Sequence, residues 1–368
     1  MRLLILSGYS RYGVHGLISE QLAAGFEEVG WDVDLFDPLH QEEKQLRFTR
    51  ISYDLVLSCN GSASIIPYRS SNLFQELRIP QIVLLTDHPL HCLPRLRPKI
   101  DRRMVLCIDP AHIEVAKRLV LPHNPVEFLA QAAFEGDVGC DERPIDLLLT
   151  GSNRPSSDSW KRLEQLQRER PEVPICDRAL SADLDENPNP LELVGEPLDL
   201  DDPVRCEMVA EVELYIRNRR REQMVEMLLD RGLRLTVVGE GWEPRPGLEC
   251  RPPLEAIDAF TLMGEAKMVL DLPLLFQYGA HERGLSAMAA GAVGVVPDNP
   301  FFDDHFDCKQ DLLAYRWLER KLLPDQIEAL LRDEPTRLEM AQRGRARVSQ
   351  GHTWRQRAHE IAELALAD

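Results

Sequence analysis

Short apolar runs alternate with amphipathic stretches from the start of the chain. Residues 2–7 (RLLILS) read as a buried strand. Leu17, Ile18, Leu22, Ala23 and Phe26 then recur at helical spacing over 17–29, and Gly30 follows as a stop. Residues 31–36 alternate as a strand. Further strands are expected at 53–58, 81–85 and 104–108, then a helix at 111–119 and a strand at 126–129. A second series opens with strand 145–150 (IDLLLT). Residues 156–204 are richer in Pro and Asp and predict a helix with long loops. The longest helical pattern, 206–231, stops at Gly232. Strands follow at 233–238, 247–250, 267–272 and 292–296, with helices at 255–264 and 283–290. The tail from 323 is helical, broken near Pro335 and Gly351. Strands interleaved with helices mean βαβ units and parallel sheets. The pattern therefore predicts an α/β chain with two doubly wound, Rossmann-like domains. A cleft should lie between them, at the carboxyl ends of the strands.

Length agrees: 368 residues exceed what one core usually holds. The charged, Pro-containing stretch at 140–145 marks the boundary, giving domains of 1–143 and 144–345. With 43 Lys+Arg against 61 Asp+Glu, the net charge of −18 disfavours sequence-independent nucleic-acid binding. It leaves room for a local basic pocket for one small anion. No apolar run reaches the roughly 20 residues of a membrane span, and Gly8, Tyr9 and Ser10 end the first run too early for a signal peptide. Eight cysteines, Cys59, Cys92, Cys107, Cys140, Cys176, Cys206, Cys250 and Cys308, are scattered without a C-x-x-C pair. They read as mostly buried thiols of a cytoplasmic protein rather than zinc ligands or a disulfide frame.

Four constellations carry candidate chemistry. Gly8–Gly16 (GYSRYGVHG) joins the first strand to the first helix, and its spacing is not the dinucleotide fingerprint G-x-G-x-x-G. It reads equally as a glycine turn or a substrate-lining loop that includes His15. Thr86-Asp87-His88-Pro89-Leu90-His91 follows a strand on the ligand-facing edge. Asp87 beside His88 is a candidate general base or orienting pair, and an Asp-capped proline turn is the structural alternative. The two histidines with Asp87 also form a metal-ligand pattern, which Pro89 disfavours. Gly239-Glu240-Gly241-Trp242 offers close backbone approach and a stacking face. Gly279–Ala292 (GAHERGLSAMAAGA) opens a small-residue helix. There Arg283 and the first backbone N–H groups can hold a diphosphate, and Glu282 can accept from sugar hydroxyls.

With Arg217–Arg221, LRLTVVGEGW, GAHERGLSAMAAGAV, Pro297–Pro300 and the Arg337–Trp354 pattern in order, residues 212–359 resemble the C-terminal domain of GT-B glycosyltransferases. The likeness is to the spore-maturation-protein-B-like, family-1-related group. It implies an N-terminal acceptor domain, a C-terminal donor domain, and a last segment, 346–368, that packs back on the first domain. It places His281, Glu282, Arg283 and Ser286 in the donor site, with Gly151, Gly239, Gly241 and Trp242 on the nucleotide side. Many such enzymes carry a ribose-binding Glu where this chain has Ser286. The implied reaction moves a sugar from a nucleoside-diphosphate sugar to an acceptor. It uses no metal or other cofactor, with Asp87, His88 or His15 as base. Asp201-Asp202 and Asp303-Asp304 read as turn acids rather than a metal site. The alternatives are a sugar-nucleotide 2-epimerase or a GT-B module that binds sugar or partners without turnover.

Overall fold

A computed structural model describes residues 1–37, 51–68, 71–136, 138, 142–195, 198–273 and 275–367. Twelve strands form two parallel six-stranded sheets. The first holds β1 (Arg2–Leu6), β2 (Asp32–Phe36), β3 (Leu55–Cys59), β4 (Gln81–Leu84), β5 (Arg103–Cys107) and β6 (Val126–Phe128), in the order 2-1-3-4-5-6. The second holds β7 (Ile145–Thr150), β8 (Leu235–Val238), β9 (Leu248–Arg251), β10 (Ala266–Leu270), β11 (Val293–Pro297) and β12 (Leu313–Tyr315), in the order 9-8-7-10-11-12. Strands β1 and β3 are almost wholly buried. That explains why they read as continuous apolar runs instead of alternating ones.

The sheets share a core. One apolar cluster runs from Leu3 and Phe26 through Phe134 to Phe260 and Ala287. Helix α1 (Val14–Glu28) and the last helix (Trp354–Ala367) meet at Gly25, where a Cβ would lie 2.4 Å from the Arg355 carbonyl oxygen. The C-terminal helix thus packs against α1 of the first unit. At its start, Ala133 of the segment between the sheets exchanges backbone hydrogen bonds with His352 and Trp354.

The stretch expected to hold a helix with long loops, 156–204, is largely helical, with helices at Ser156–Glu169, Ile175–Ser181 and Pro190–Val194. These helices pack with Val83, Leu85, Val105 and Cys107 of the first sheet, although they follow β7 in the chain. The long helix α2 (Pro203–Asp230) spans both units, since 28 residues extend about 42 Å. Its first half joins that cluster, and Met224, Val225 and Leu228 pack beneath the second sheet. Asp202 caps it, accepting from Val204 and Arg205. The seven described cysteines are free, five of them buried; Cys140, like part of the expected boundary, lies outside the described residues. Among the described residues, no helix is long and apolar enough to cross a membrane.

Candidate active site

In doubly wound sheets, ligands bind where the strand order reverses. In the second sheet that point lies between β7 and β10. A cavity of about 110 Å³ opens there, walled by both units. Thr150, Gly151 and Gly239 form its floor, and Leu254, Phe260 and Met263 an apolar end. Glu282, Arg283 and Ser286 form a polar end, while Tyr12 and Val14 reach in from the first unit.

The polar end is the start of helix α3 (Glu282–Ala289). Arg283 Nη1 donates to Asp271 Oδ1 at 3.2 Å, at the end of β10. Burial pushes the Asp271 carboxyl up, against the opposing pull of His281 and Arg283. Burial also raises Glu282, but His281 and Arg283 outweigh it and hold its carboxyl below the usual range. His281 Nδ1 lies 3.2 Å from the Arg283 N–H and 2.8 Å from Glu282 Oε2. One nitrogen serves only one of these at a time: unprotonated it caps the helix, protonated it donates to Glu282. The Glu282 N–H donates to Gln131 Oε1 at 2.7 Å. The first N–H groups expected to face a diphosphate are therefore engaged within the protein, while the Arg283 side chain lines the cavity.

Ser286 sits one turn on, buried, its Oγ accepting from the Phe134 N–H at 3.0 Å. Ser286 thus pins the segment joining the two sheets. The glycine loops also differ from expectation. A Cβ on Gly239 would lie 2.6 Å from the Gly151 carbonyl carbon, and one on Gly241 would lie 2.0 Å from the Asn153 oxygen. Both residues have positive φ. Gly239 and Gly241 let the 150–153 and 239–241 loops touch, and of the two only Gly239 also lines the cavity. Trp242 donates Nε1–H to the Gly151 carbonyl at 2.7 Å and packs on the core beneath the second sheet. It lies outside the cavity, on a neighbouring depression with Asn153 and Pro155, so the stacking role expected for it is not supported.

Across the cleft, the first sheet's reversal lies between β1 and β3. Asn60, just past β3 and at positive φ, gathers the polar residues there. Its Nδ2 donates to Asp87 Oδ2 at 2.8 Å and to Thr86 Oγ1 at 2.9 Å, and its Oδ1 accepts the Thr86 N–H at 2.8 Å. His15 Nε2 lies 3.0 Å from Thr86 Oγ1. Burial lowers the His15 pKa, against the pull of Asp87 and, more weakly, Glu282. The structure thus joins His15 to Asp87 through Asn60 and Thr86.

His88 is not part of this cluster. It is buried, caps its turn by accepting the Leu90 N–H at Nδ1, and stacks edge-on with His112 at 4.5 Å. Burial, with His112 nearby, lowers its pKa to about 3. Its neighbour His91 pairs instead with buried Glu213 of α2 at 2.8 Å. The expected Asp87–His88 pair is in fact an Asp87–Asn60 pair and a capping histidine.

The two units are also laced together. Asp109, buried past β5, accepts the N–H groups of Gln277, Tyr278 and Gly279 at 2.8–2.9 Å. Arg11 pairs with Glu240, and the Ala256 N–H donates to the Tyr12 carbonyl. Among the described residues, no cluster of three or more His, Cys, Asp or Glu has metal-ligand geometry.

Comparison with known proteins agrees with this architecture. Residues 219–363 match a family described as glycosyl transferase-like. Among solved structures, an alpha-glucosyltransferase in complex with UDP and a 13-mer DNA superposes with a TM-score of 0.62, at 11% identity over 100% of each chain. Sucrose-phosphate synthase from Thermosynechococcus elongatus gives 0.57 at 10% identity, over 99% of this chain and 98% of that one. HepE of Anabaena, in complex with UDP-glucose, gives 0.50 at 13% identity over 100% of both. A search of curated protein sequences gives no match. The fold is that of the GT-B glycosyltransferases, and residues 219–363 are similar to a glycosyl transferase-like family.

Proposed function

We propose that this protein transfers a sugar from a nucleoside-diphosphate sugar to a hydroxyl acceptor. Residues 1–143 serve as acceptor domain and 144–345 as donor domain. The observation that carries the reading is the cavity shared by both units, apolar around Leu254, Phe260 and Met263 and ion-paired around Glu282 and Arg283. An apolar slot suits a nucleobase, and a guanidinium suits a diphosphate. UDP-sugars are the first donors to test, because the structural neighbours include complexes with UDP and UDP-glucose.

In the reaction the bond from the anomeric carbon to the diphosphate oxygen breaks. The acceptor oxygen bonds that carbon, and its proton passes to the His15–Asp87 cluster. Burial favours a neutral His15, and a neutral imidazole can accept a proton. Arg283 meets the charge on the leaving diphosphate, so the reading assigns no metal to the step. The free cysteines support a cytoplasmic setting. The test is release of nucleoside diphosphate from a panel of donors without acceptor, run in EDTA. Release by wild type and its loss in Arg283→Ala support the reading. No release and no binding for any donor contradict it.

A further inference from the structure

Helix α2 carries a guanidinium that the donor site does not use. Arg217 lies between Glu213, which pairs across the units with His91, and Arg221, which holds the Ser152 and Leu272 carbonyls. Arg217 Nε is buried with no acceptor among the described residues. The two acids whose charge reaches it are engaged elsewhere: Glu213 with His91, and Asp87 with Asn60. Arg154, Arg221 and Arg283, whose charges also reach it, are cationic.

Arg217 lines a second cavity, of about 50 Å³, at the ends of β10, β11 and β12. Arg220 and Trp317 line it as well, and both have a buried N–H, Arg220 Nε and Trp317 Nε1, with no acceptor among the described residues. Three of the other four N–H groups of Arg220 are used, on the carbonyls of Ala182, Asp185 and Glu186. The Trp317 ring is held between Arg220 at 4.5 Å and Arg320 at 4.1 Å. Glu186, the carboxylate of this wall, accepts the Trp317 and Leu318 N–H groups. Proteins seldom leave one buried donor unpaired, and here three belong to residues around a single cavity. Two of the three are guanidinium groups, so the missing acceptor is best an anion.

We propose that this cavity is an oxyanion subsite beside the donor site, taking a phosphate or carboxylate carried by the substrate. The volume suits one such head group or a few waters. The proposal rests on the donor reading of the cleft and extends it: the transferred sugar or the acceptor is acidic. Arg217, Arg220 Nε and Trp317 Nε1 supply the donors.

The test is calorimetric titration of inorganic phosphate and of acetate into protein saturated with UDP. One equivalent of at least one anion should bind, and Arg217→Gln and Trp317→Phe should each weaken it at least about 10-fold. Trp317→Phe keeps the ring between the two arginines, so it decides the matter if Arg217→Gln does not fold. Preference for phosphate assigns a phosphorylated substrate, and preference for acetate a carboxylated one. Binding of neither anion, unchanged binding in both folded variants, or exclusion of the anion by UDP overturns the proposal. Exclusion would mean that the cavity holds the donor's own diphosphate. If UDP does not bind but the anion still depends on Arg217, the donor reading fails and the subsite stands.

Discussion

Asn60 donates a hydrogen bond to Asp87 at 2.8 Å, and the same amide group donates to and accepts from Thr86. A residue at positive φ past one strand thereby fixes the carboxylate that ends the next. If that carboxylate takes the acceptor proton, Asp87→Asn should lower turnover about 10²- to 10⁴-fold while the protein stays folded. Turnover and melting temperature measured together check this. A stable variant with full rate would remove Asp87 from the reaction.

Ser286 offers a second test, because its hydroxyl is committed to the Phe134 N–H. Ser286→Ala should cost about 1–3 kcal/mol by leaving that buried N–H unpaired. Ser286→Glu, which restores the residue common in related enzymes, should destabilise the protein further instead of improving donor binding. Denaturant midpoints and UDP affinity of the two variants decide it. Tighter UDP binding by a stable Ser286→Glu protein would contradict the pinning role.

Two glycines of α1 should respond in opposite directions. Gly16 has open space around it, so Gly16→Ala should stabilise the helix by up to about 1 kcal/mol. Gly25 faces the Arg355 backbone, so Gly25→Ala should cost about 1–3 kcal/mol and loosen the C-terminal helix. Thermal melts and limited proteolysis of that helix read both effects.

Stability should also depend on pH. His88 and His112 are each held at about 3, chiefly by burial, against an ordinary value of 6.5. Between these values the unfolded chain binds protons that the native protein does not. Their contribution is therefore complete above about pH 6.5 and is lost as pH falls toward 3. His91 runs the other way. Burial lowers it, but the bond with Glu213 wins and raises its pKa, so its contribution is present below pH 6.5 and is lost as pH rises through the raised value. His352 is lowered to about 3 as well, and the His91 contribution is already present below pH 6.5, so the melting temperature should fall from pH 6.5 to 4. His112→Phe, which keeps the ring beside His88, should flatten that fall.

Both parallel sheets were legible because buried strands such as Leu3–Leu6 and Leu147–Leu149 are unbroken apolar runs. Strand Leu313–Tyr315 gives no signal, since three residues have no period, and the prolines and acids of 156–204 hide all but one of its helices. At the site, Glu282 and Arg283 announced themselves as charges at a helix start. Asn60, Asp109 and Gln131 did not, because their partners lie 26–27, 168–170 and 151 residues away. A pair of strand-end polar residues after β3 and β5 was the available signal. Trp242 and His88 misled for a shared reason: an aromatic or imidazole ring beside a turn looks the same in sequence whether it faces a ligand or caps the backbone.

Arg283 is the proposed contact for a nucleoside diphosphate held in the cleft. Calorimetry of UDP and of uridine with wild type and Arg283→Ala tests it most directly. Wild type should bind UDP, and the variant should bind it about 10- to 100-fold more weakly, while uridine affinity changes less than about 3-fold. No UDP binding by wild type, or an equal loss for both ligands, would contradict it.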